Sequence, residues 1–260
     1  MRLFVTDLDG TLLNHGKTIE PQDEDAISGL LARGVEVCFA SGRSDGDIAF
    51  IAGWFDGAIH RISHNGAIVR RKDGALLGTE TFELDTAAAI DELVHRYEGL
   101  VVFTGDREGE VWLRESDART RPYEERLYVR VRVRDGAPND IGRTLVPGKF
   151  SIFGETDLLR RVERDVMERF GGSVDSFRSD VDCVDFMPKG VSKGTGLERL
   201  LAAIGGAPER TACVGDSHND IAMLAMTPFG FAMSHAHADV RRSAAHGATS
   251  VADVVARLGW

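Results

Sequence analysis

Cysteine is scarce: Cys38, Cys183 and Cys213 are the only three in 260 residues. An odd set in apolar or strand-like surroundings, without metal-ligand spacing, excludes a disulfide framework and predicts buried thiols in a reducing cytosol. No apolar run approaches the ~20 residues of a membrane span. No charged-then-apolar leader opens the sequence, so neither an anchor nor a secretion signal is expected. A basic surplus is also missing. The formal net charge is -10 and the sequence pI is near 5.3, which excludes the broad basic face that grips nucleic-acid phosphates. A small anionic substrate stays admissible, because a bound cation reverses the local field. Repeats and low-complexity tracts are absent.

What is present suits a soluble α/β protein of one large or two modest domains, with 43% hydrophobic and 28% charged residues. Leu3–Thr6 reads as a buried strand. A helix carrying Ile27, Leu30 and Leu31 follows Pro21 and ends at Gly34. Val35–Ala40 is a second strand, Ile48, Ile51, Ala52 and Phe55 mark a second helix, and a third strand runs around Ala58–Ser63. Strand, helix, strand, helix, strand implies parallel pairing with right-handed crossovers. The last part returns to that style. A helix bears Leu197, Leu200, Leu201 and Ile204, a strand spans Thr211–Val214, and Phe229–Met233 is read as the last strand.

The middle differs. Lys72-Asp73-Gly74 reads as a hairpin turn. A helix with Ile90, Leu93, Val94 and Tyr97 precedes short strands near 100–103, 110–113 and 149–153. Another helix carries Leu158, Leu159, Val162, Val166 and Phe170, and Val181–Phe186 closes the segment. Leu127, Val129, Val131 and Val133 alternate with Arg126, Tyr128, Arg130, Arg132 and Arg134, a period of two that predicts a strand with one wet face. The expected organisation is a parallel-sheet core from residues 1–80 and 187–260, with residues 81–186 as an inserted α+β domain.

Candidate chemistry gathers at strand tips, where α/β proteins place their sites. Asp7-Leu8-Asp9-Gly10 sets two carboxylates beside a strand end. That arrangement suits a hard cation such as Mg²⁺, or nucleophilic and proton-transfer roles, or an ordinary Asp-Gly turn. Ser41-Gly42 offers a hydroxyl and backbone N–H groups to an anion, or a helix N-cap. Gly215-Asp216-Ser217-His218-Asn219-Asp220 places acids at i and i+4, for metal ligation or for capping. Lys193, opening a helix, is a solvated charge or the neutraliser of a transferred phosphoryl group.

These stretches together resemble the haloacid dehalogenase superfamily, in particular its Cof-type phosphatases with a C2-type (class IIB) cap. The matches are Asp7-Leu8-Asp9-Gly10-Thr11-Leu12, Ser41-Gly42-Arg43, Asn65-Gly66-Ala67, Lys193-Gly194 and Gly215-Asp216-Ser217-His218-Asn219-Asp220, in the family's order. The resemblance implies a Rossmann-like core with an inserted cap, and a cytoplasmic Mg²⁺-dependent phosphatase of a small phosphorylated metabolite such as a sugar phosphate. It implies Asp7 as the nucleophile forming an aspartyl-phosphate and Asp9 as the general acid and base. Mg²⁺ would sit on Asp7, the Asp9 carbonyl and Asp216, with Asp220 behind. Ser41, Gly42, Lys193 and Asn219 would bind phosphoryl oxygens. A phosphotransferase or phosphomutase, or a non-catalytic binding module, are the alternatives.

Gly215-Asp216-Ser217 stands where relatives often read Gly-Asp-Gly, and Met233-Ser234-His235-Ala236 where they often read Met-Gly-Asn-Ala. His235 and His237 read as loop histidines before a metal pair. The arginines at 126, 130, 132 and 134 read as a wet sheet face before a recognition stripe. Trp54 and Trp112 read as packing residues. Oligomeric state leaves no mark in the sequence.

Overall fold

The computed structural model describes residues 1–134 and 140–260; residues 135–139, inside the expected insert, lie outside the described residues. Strand β1 (Leu3–Thr6) is buried throughout. Phe4 points into one apolar layer and Leu3 and Val5 into another, so both sheet faces are covered and the strand reads as an unbroken apolar run. Helix α1 (Pro21–Ala32) begins on a proline and seats Ile27 and Leu30 in the Phe4 layer. Strand β2 (Glu36–Ala40) leads to helix α2 (Asp45–Ala52), then β3 (His60–Ser63) and the hairpin β4 (Ile68–Arg70) and β5 (Leu76–Thr79). The N-cap of α2 is Ser44, whose hydroxyl accepts from Asp47 N at 3.1 Å. Ser41 therefore does not cap this helix.

The middle of the chain supplies α3 (Leu84–Val94), β6 (Val101–Asp106), β7 (Val111–Leu113), α4 (Arg121–Glu124), β8 (Arg132–Val133), β9 (Pro147–Phe153), α5 (Thr156–Phe170), β10 (Val174–Asp180) and β11 (Cys183–Pro188). Its strands form a second sheet in the order β10-β11-β9-β6-β7-β8. Helices α3 and α5 cover one face of it, where Ile90, Leu159, Val162 and Val166 meet Phe150, Ile152, Val184 and Phe186.

The strand expected across 127–134 is only the two residues of β8. The alternation before it belongs to a strap that lies against α2, where Asp47 Oδ1 accepts from the backbone N–H groups of Tyr128 at 2.7 Å and Val129 at 3.0 Å. The arginine stripe dissolves accordingly. Arg126 pairs with Asp182, Arg132 pairs with Glu110, Arg130 is exposed, and Arg134 is buried on Asp91 and Thr104. Trp54 is 39% exposed and packs edge-on against Phe50 and Tyr128. Trp112 is half-buried, donating to Asp106 Oδ2 at 2.8 Å under the Arg132 guanidinium.

The chain then adds α6 (Lys193–Ile204), β12 (Thr211–Gly215), α7 (Ile221–Ala225), β13 (Phe229–Met233), α8 (Ala238–Ser243), β14 (His246–Ala248) and α9 (Val251–Leu258). Strand β13 is thus not the last. Two of the three β14 residues are exposed at the sheet edge, and so small and polar a segment carries no apolar signal. The first sheet runs β14-β13-β12-β1-β2-β3-β4-β5, parallel except for β4 and β5. Strand β1 lies between β12 and β2, with Thr6 beside Val214 and Phe39. The loops after all three strands therefore open at one edge.

Candidate active site

Asp7 follows β1 directly, and its N–H donates to Val214 O at 2.9 Å. Lys193, 1% exposed, donates from Nζ to Asp7 Oδ1 and to Asp220 Oδ1, each at 2.6 Å. It is thus buried and doubly paired, not solvated. Ser192 caps its helix in a reciprocal box with Thr195, which fixes where the lysine starts. Asp220 is fully committed, because its Oδ2 accepts from Asp216 N at 3.0 Å and Ser217 N at 2.9 Å. Asp216 Oδ1 accepts from Thr11 Oγ1 at 2.9 Å.

Burial raises the pKa of Asp7 well above the usual carboxylate value; Lys193 pulls it down, while Asp220 and Asp216 push it up again. Asp216 is raised by burial and then by Asp220. Burial opposes the charge on Lys193, yet Asp220 and Asp7 outweigh it and lift its pKa. Three carboxylates and one ammonium therefore leave an anionic surplus in a dry place.

Asp9 is placed differently. Its carboxylate receives Arg43 Nε at 2.7 Å, Arg43 Nη2 at 2.8 Å and Lys17 Nζ at 2.6 Å. Burial works against its charge, but Arg43 and Lys17 prevail and hold the pKa at about 2. Both cations touch the strap: Arg43 Nη1 donates to Arg126 O at 3.2 Å, and Tyr128 Oη donates to Lys17 O at 3.1 Å.

Ser41 follows β2 and is 2% exposed; its Oγ accepts from Arg43 N at 3.2 Å. Asp7, Asp9, Ser41, Gly42 and Asn219 all line a cavity of about 550 Å³. Lys193 and Asp216 stand behind that lining, in contact with Asp7 and Thr11. The roof of the cavity is the face of the second sheet opposite α3 and α5, part of which is covered by Tyr123, Leu127 and Val131. Because side chains alternate along a strand, Phe103, Lys149, Ser151, Phe153, Cys183 and Asp185 face the cavity. Their neighbours Val102, Phe150, Ile152, Val184 and Phe186 face the helices.

A divalent cation fits the floor. Carboxylate oxygens of Asp7, Asp216 and Asp220 lie within 4.8 Å of one another, an all-oxygen set of the kind hard cations take. With Asp220 already spent on Lys193 and two backbone N–H groups, Asp7 and Asp216 are the acids left to hold it. His235 Nε2 lies 3.8 Å from Asp216 Oδ2, whereas His237 sits with His218 and Asp239 in an exposed group. The two loop histidines therefore do not form a pair.

Lys17, Arg43, Asn65, Lys149 and Asp185 also stand at the site, with no role expected for any of them from the sequence. For Lys149 and Asp185 a signal existed: each is the single charge within its strand. Lys17 lies in a turn with φ 58° and carried none.

The family of haloacid dehalogenase-like hydrolases matches residues 4–257. An HMP-PP phosphatase of Escherichia coli is 26% identical over 250 residues, covering 94% of this chain and 88% of its own. The crystal structure of TM0651 from Thermotoga maritima superposes with a TM-score of 0.84 at 25% identity, over 98% of this chain and 97% of that one. BT4131, described as a HAD subclass IIB sugar phosphatase, shares the fold at TM-score 0.83 and 18% identity, over 100% and 99% of the two chains.

Proposed function

Because the chain belongs to the haloacid dehalogenase-like hydrolase family, we propose that it is a Mg²⁺-dependent phosphatase of a small phosphorylated metabolite, working through a phosphorylated Asp7. The class is phosphoric monoester hydrolase. One observation carries the reading: Lys193 binds Asp7 and Asp220 beneath the cavity, with the Asp216 carboxylate within ligand reach of both acids.

Phosphate monoesters hydrolyse so slowly that enzymes accelerate them by up to ~10²¹-fold, so positioning, charge and a covalent step are all needed. Asp7 Oδ1 is tied to Lys193, which leaves Oδ2 to attack phosphorus while the bond to the ester oxygen breaks. Asp9 gives the departing oxygen its proton. A water then attacks the acyl phosphate, Asp9 takes its proton, and phosphate leaves with Asp7 restored. To carry a proton, Asp9 must first be released by Arg43 and Lys17, and an incoming phosphoryl group offers those cations another anion. Ser41, Gly42, Lys193 and Asn219 hold the phosphoryl oxygens in this reading. Mg²⁺ on Asp7, Asp216 and the Asp9 carbonyl would add positive charge where the transferred group gathers negative charge.

On this reading residues 81–186 form a cap that shuts out bulk water and selects the leaving group. Ser151, Ser179, Asp180 and Asp182 give the cavity hydroxyl-binding partners, which favours a sugar phosphate. Cys38, Cys183 and Cys213 are buried and unpaired, which suits a cytoplasmic enzyme. Among the described residues no helix is long and apolar enough to cross a membrane.

The test is phosphate release from a panel of sugar phosphates, nucleotides and HMP-PP, with Mg²⁺ and with chelator. Release without any acceptor supports hydrolysis. Turnover only when a sugar acceptor is added assigns the chain to phosphotransfer instead.

A further inference from the structure

The second sheet sends two charged side chains down into the catalytic floor. Lys149 is 5% exposed and Asp185 is fully buried, and they pair at 2.9 Å. Removing two charges from water is costly unless good geometry and further hydrogen bonds repay it, so the other partners of this pair are informative. Lys149 Nζ donates to Gly42 O at 2.8 Å. Asp185 Oδ2 accepts from Asn65 Nδ2 at 2.8 Å, and Asn65 Oδ1 accepts from Asn219 Nδ2 at 3.0 Å. Asn219 Oδ1 is buried without a partner.

An ionised carboxylate only accepts, whereas an amide has one accepting and one donating end. Asp185 therefore forces the NH₂ of Asn65 toward itself. The carbonyl oxygen of Asn65 must then face Asn219, and Asn219 must answer with its NH₂. The direction of each amide is set, link by link, by one charge. Asn65 can stand there because its backbone is left-handed, with φ 53°. On the other arm, both ends of the Gly42–Arg43 peptide are pinned: its carbonyl by Lys149 and its N–H by Ser41 Oγ at 3.2 Å. With its oxygen accepting from that N–H, the Ser41 hydroxyl keeps its own hydrogen to donate.

We propose that Lys149 and Asp185 are positioning residues for phosphoryl binding: Asp185 orients the Asn219 amide through Asn65, and Lys149 fixes the Gly42 peptide. This rests on the reading above that Ser41, Gly42 and Asn219 hold phosphoryl oxygens. Loss of the Asp185 charge leaves Asn65 free to turn over. Asn219 then turns with it, and the second hydrogen of its NH₂, the one left over for an anion, turns away.

The experiment measures inhibition by inorganic phosphate, with Mg²⁺ present, in the full chain and in Asp185→Asn, Lys149→Met and Asn65→Ala. An inhibition constant does not depend on how much protein is folded, so lost stability alone cannot move it. Asn65→Ala cuts the relay while sparing the ion pair, and it stands in if the charge variants fail to fold. The expected result is a rise of about tenfold or more in the phosphate inhibition constant in each folded variant, the size of a lost hydrogen bond to a charged group. KM should rise in step, and kcat should fall less. Constants within twofold of wild type, in a wild type that is active and is silenced by Asp7→Asn, overturn the relay and leave the phosphatase reading standing. Turnover that survives Asp7→Asn overturns both.

Discussion

The Lys193 ammonium donates to Asp7 Oδ1 at 2.6 Å, joining residues 186 positions apart in the chain. The same nitrogen holds Asp220 Oδ1, and almost none of it is open to water. Removing one partner of such a pair strands the others. Lys193→Met should therefore destabilise the fold by about 3–5 kcal/mol, read as a lower urea midpoint. Phosphate release by the protein that remains folded should fall by about 10² or more. Wild-type turnover in that variant would mean that the lysine serves the fold alone.

Burial and mutual repulsion raise Asp7 and Asp216. The folded protein then keeps protons that the unfolded chain has already released, from the ordinary carboxylate range upward. Stability without metal should fall as pH rises through that window, because the folded state binds more protons there. Mg²⁺ competes with those protons. The rise in Tm on adding Mg²⁺ should be small near about pH 5 and larger near about pH 8. A Tm gain that does not change with pH would count against these acids as the cation's ligands.

Asp9 has the opposite sign. Arg43 and Lys17 hold it at about pKa 2, below its unfolded value. Its contribution is complete above the ordinary carboxylate range and is lost as pH falls through about 2. Carbon NMR on labelled Asp9 should show a carboxylate ionised to about pH 2 in the resting enzyme. Arg43→Met should move that midpoint upward. An unchanged midpoint would remove Arg43 as the controlling charge.

The floor of this site was legible because each of its groups sits at the tip of an apolar strand or at a helix start. Asp7 after Leu3–Thr6, Ser41 after Glu36–Ala40 and Asp216 after Thr211–Gly215 carry their position in the local pattern. The strap at 126–131 misled because alternation of apolar and charged residues also serves a segment pinned by its backbone to one buried acid, Asp47. Lys149 and Asp185 stand out locally as lone charges in their strands, but their partners do not. Those partners, Gly42 and Asn65, lie 107 and 120 positions away, in loops after strands of the first sheet, and nothing local names them.

Gly66 is where the Asn65 turn presses on the Lys193 helix. Its φ is +103°, and a Cβ there would lie 2.0 Å from Ser192 O. Backbone meets backbone, so neither side can yield by a rotamer change. Gly66→Ala should cost about 2–3 kcal/mol of stability. It should also lower activity by shifting Lys193 away from Asp7, with both effects read on one preparation by thermal melting and phosphate release. A variant as stable and active as wild type would show that the turn can relax.

The proposed mechanism rests on an Asp7 carboxylate oxygen taking up the phosphoryl group covalently. The direct measurement is turnover of a generic aryl phosphate with Mg²⁺ by Asp7→Asn, alongside mass spectrometry of acid-quenched wild type during turnover. The expected result is no phosphate release by the variant, and a phosphoryl group on the Asp7 peptide of the wild type. Turnover by Asp7→Asn, or a phosphoryl group on some other residue, would contradict it.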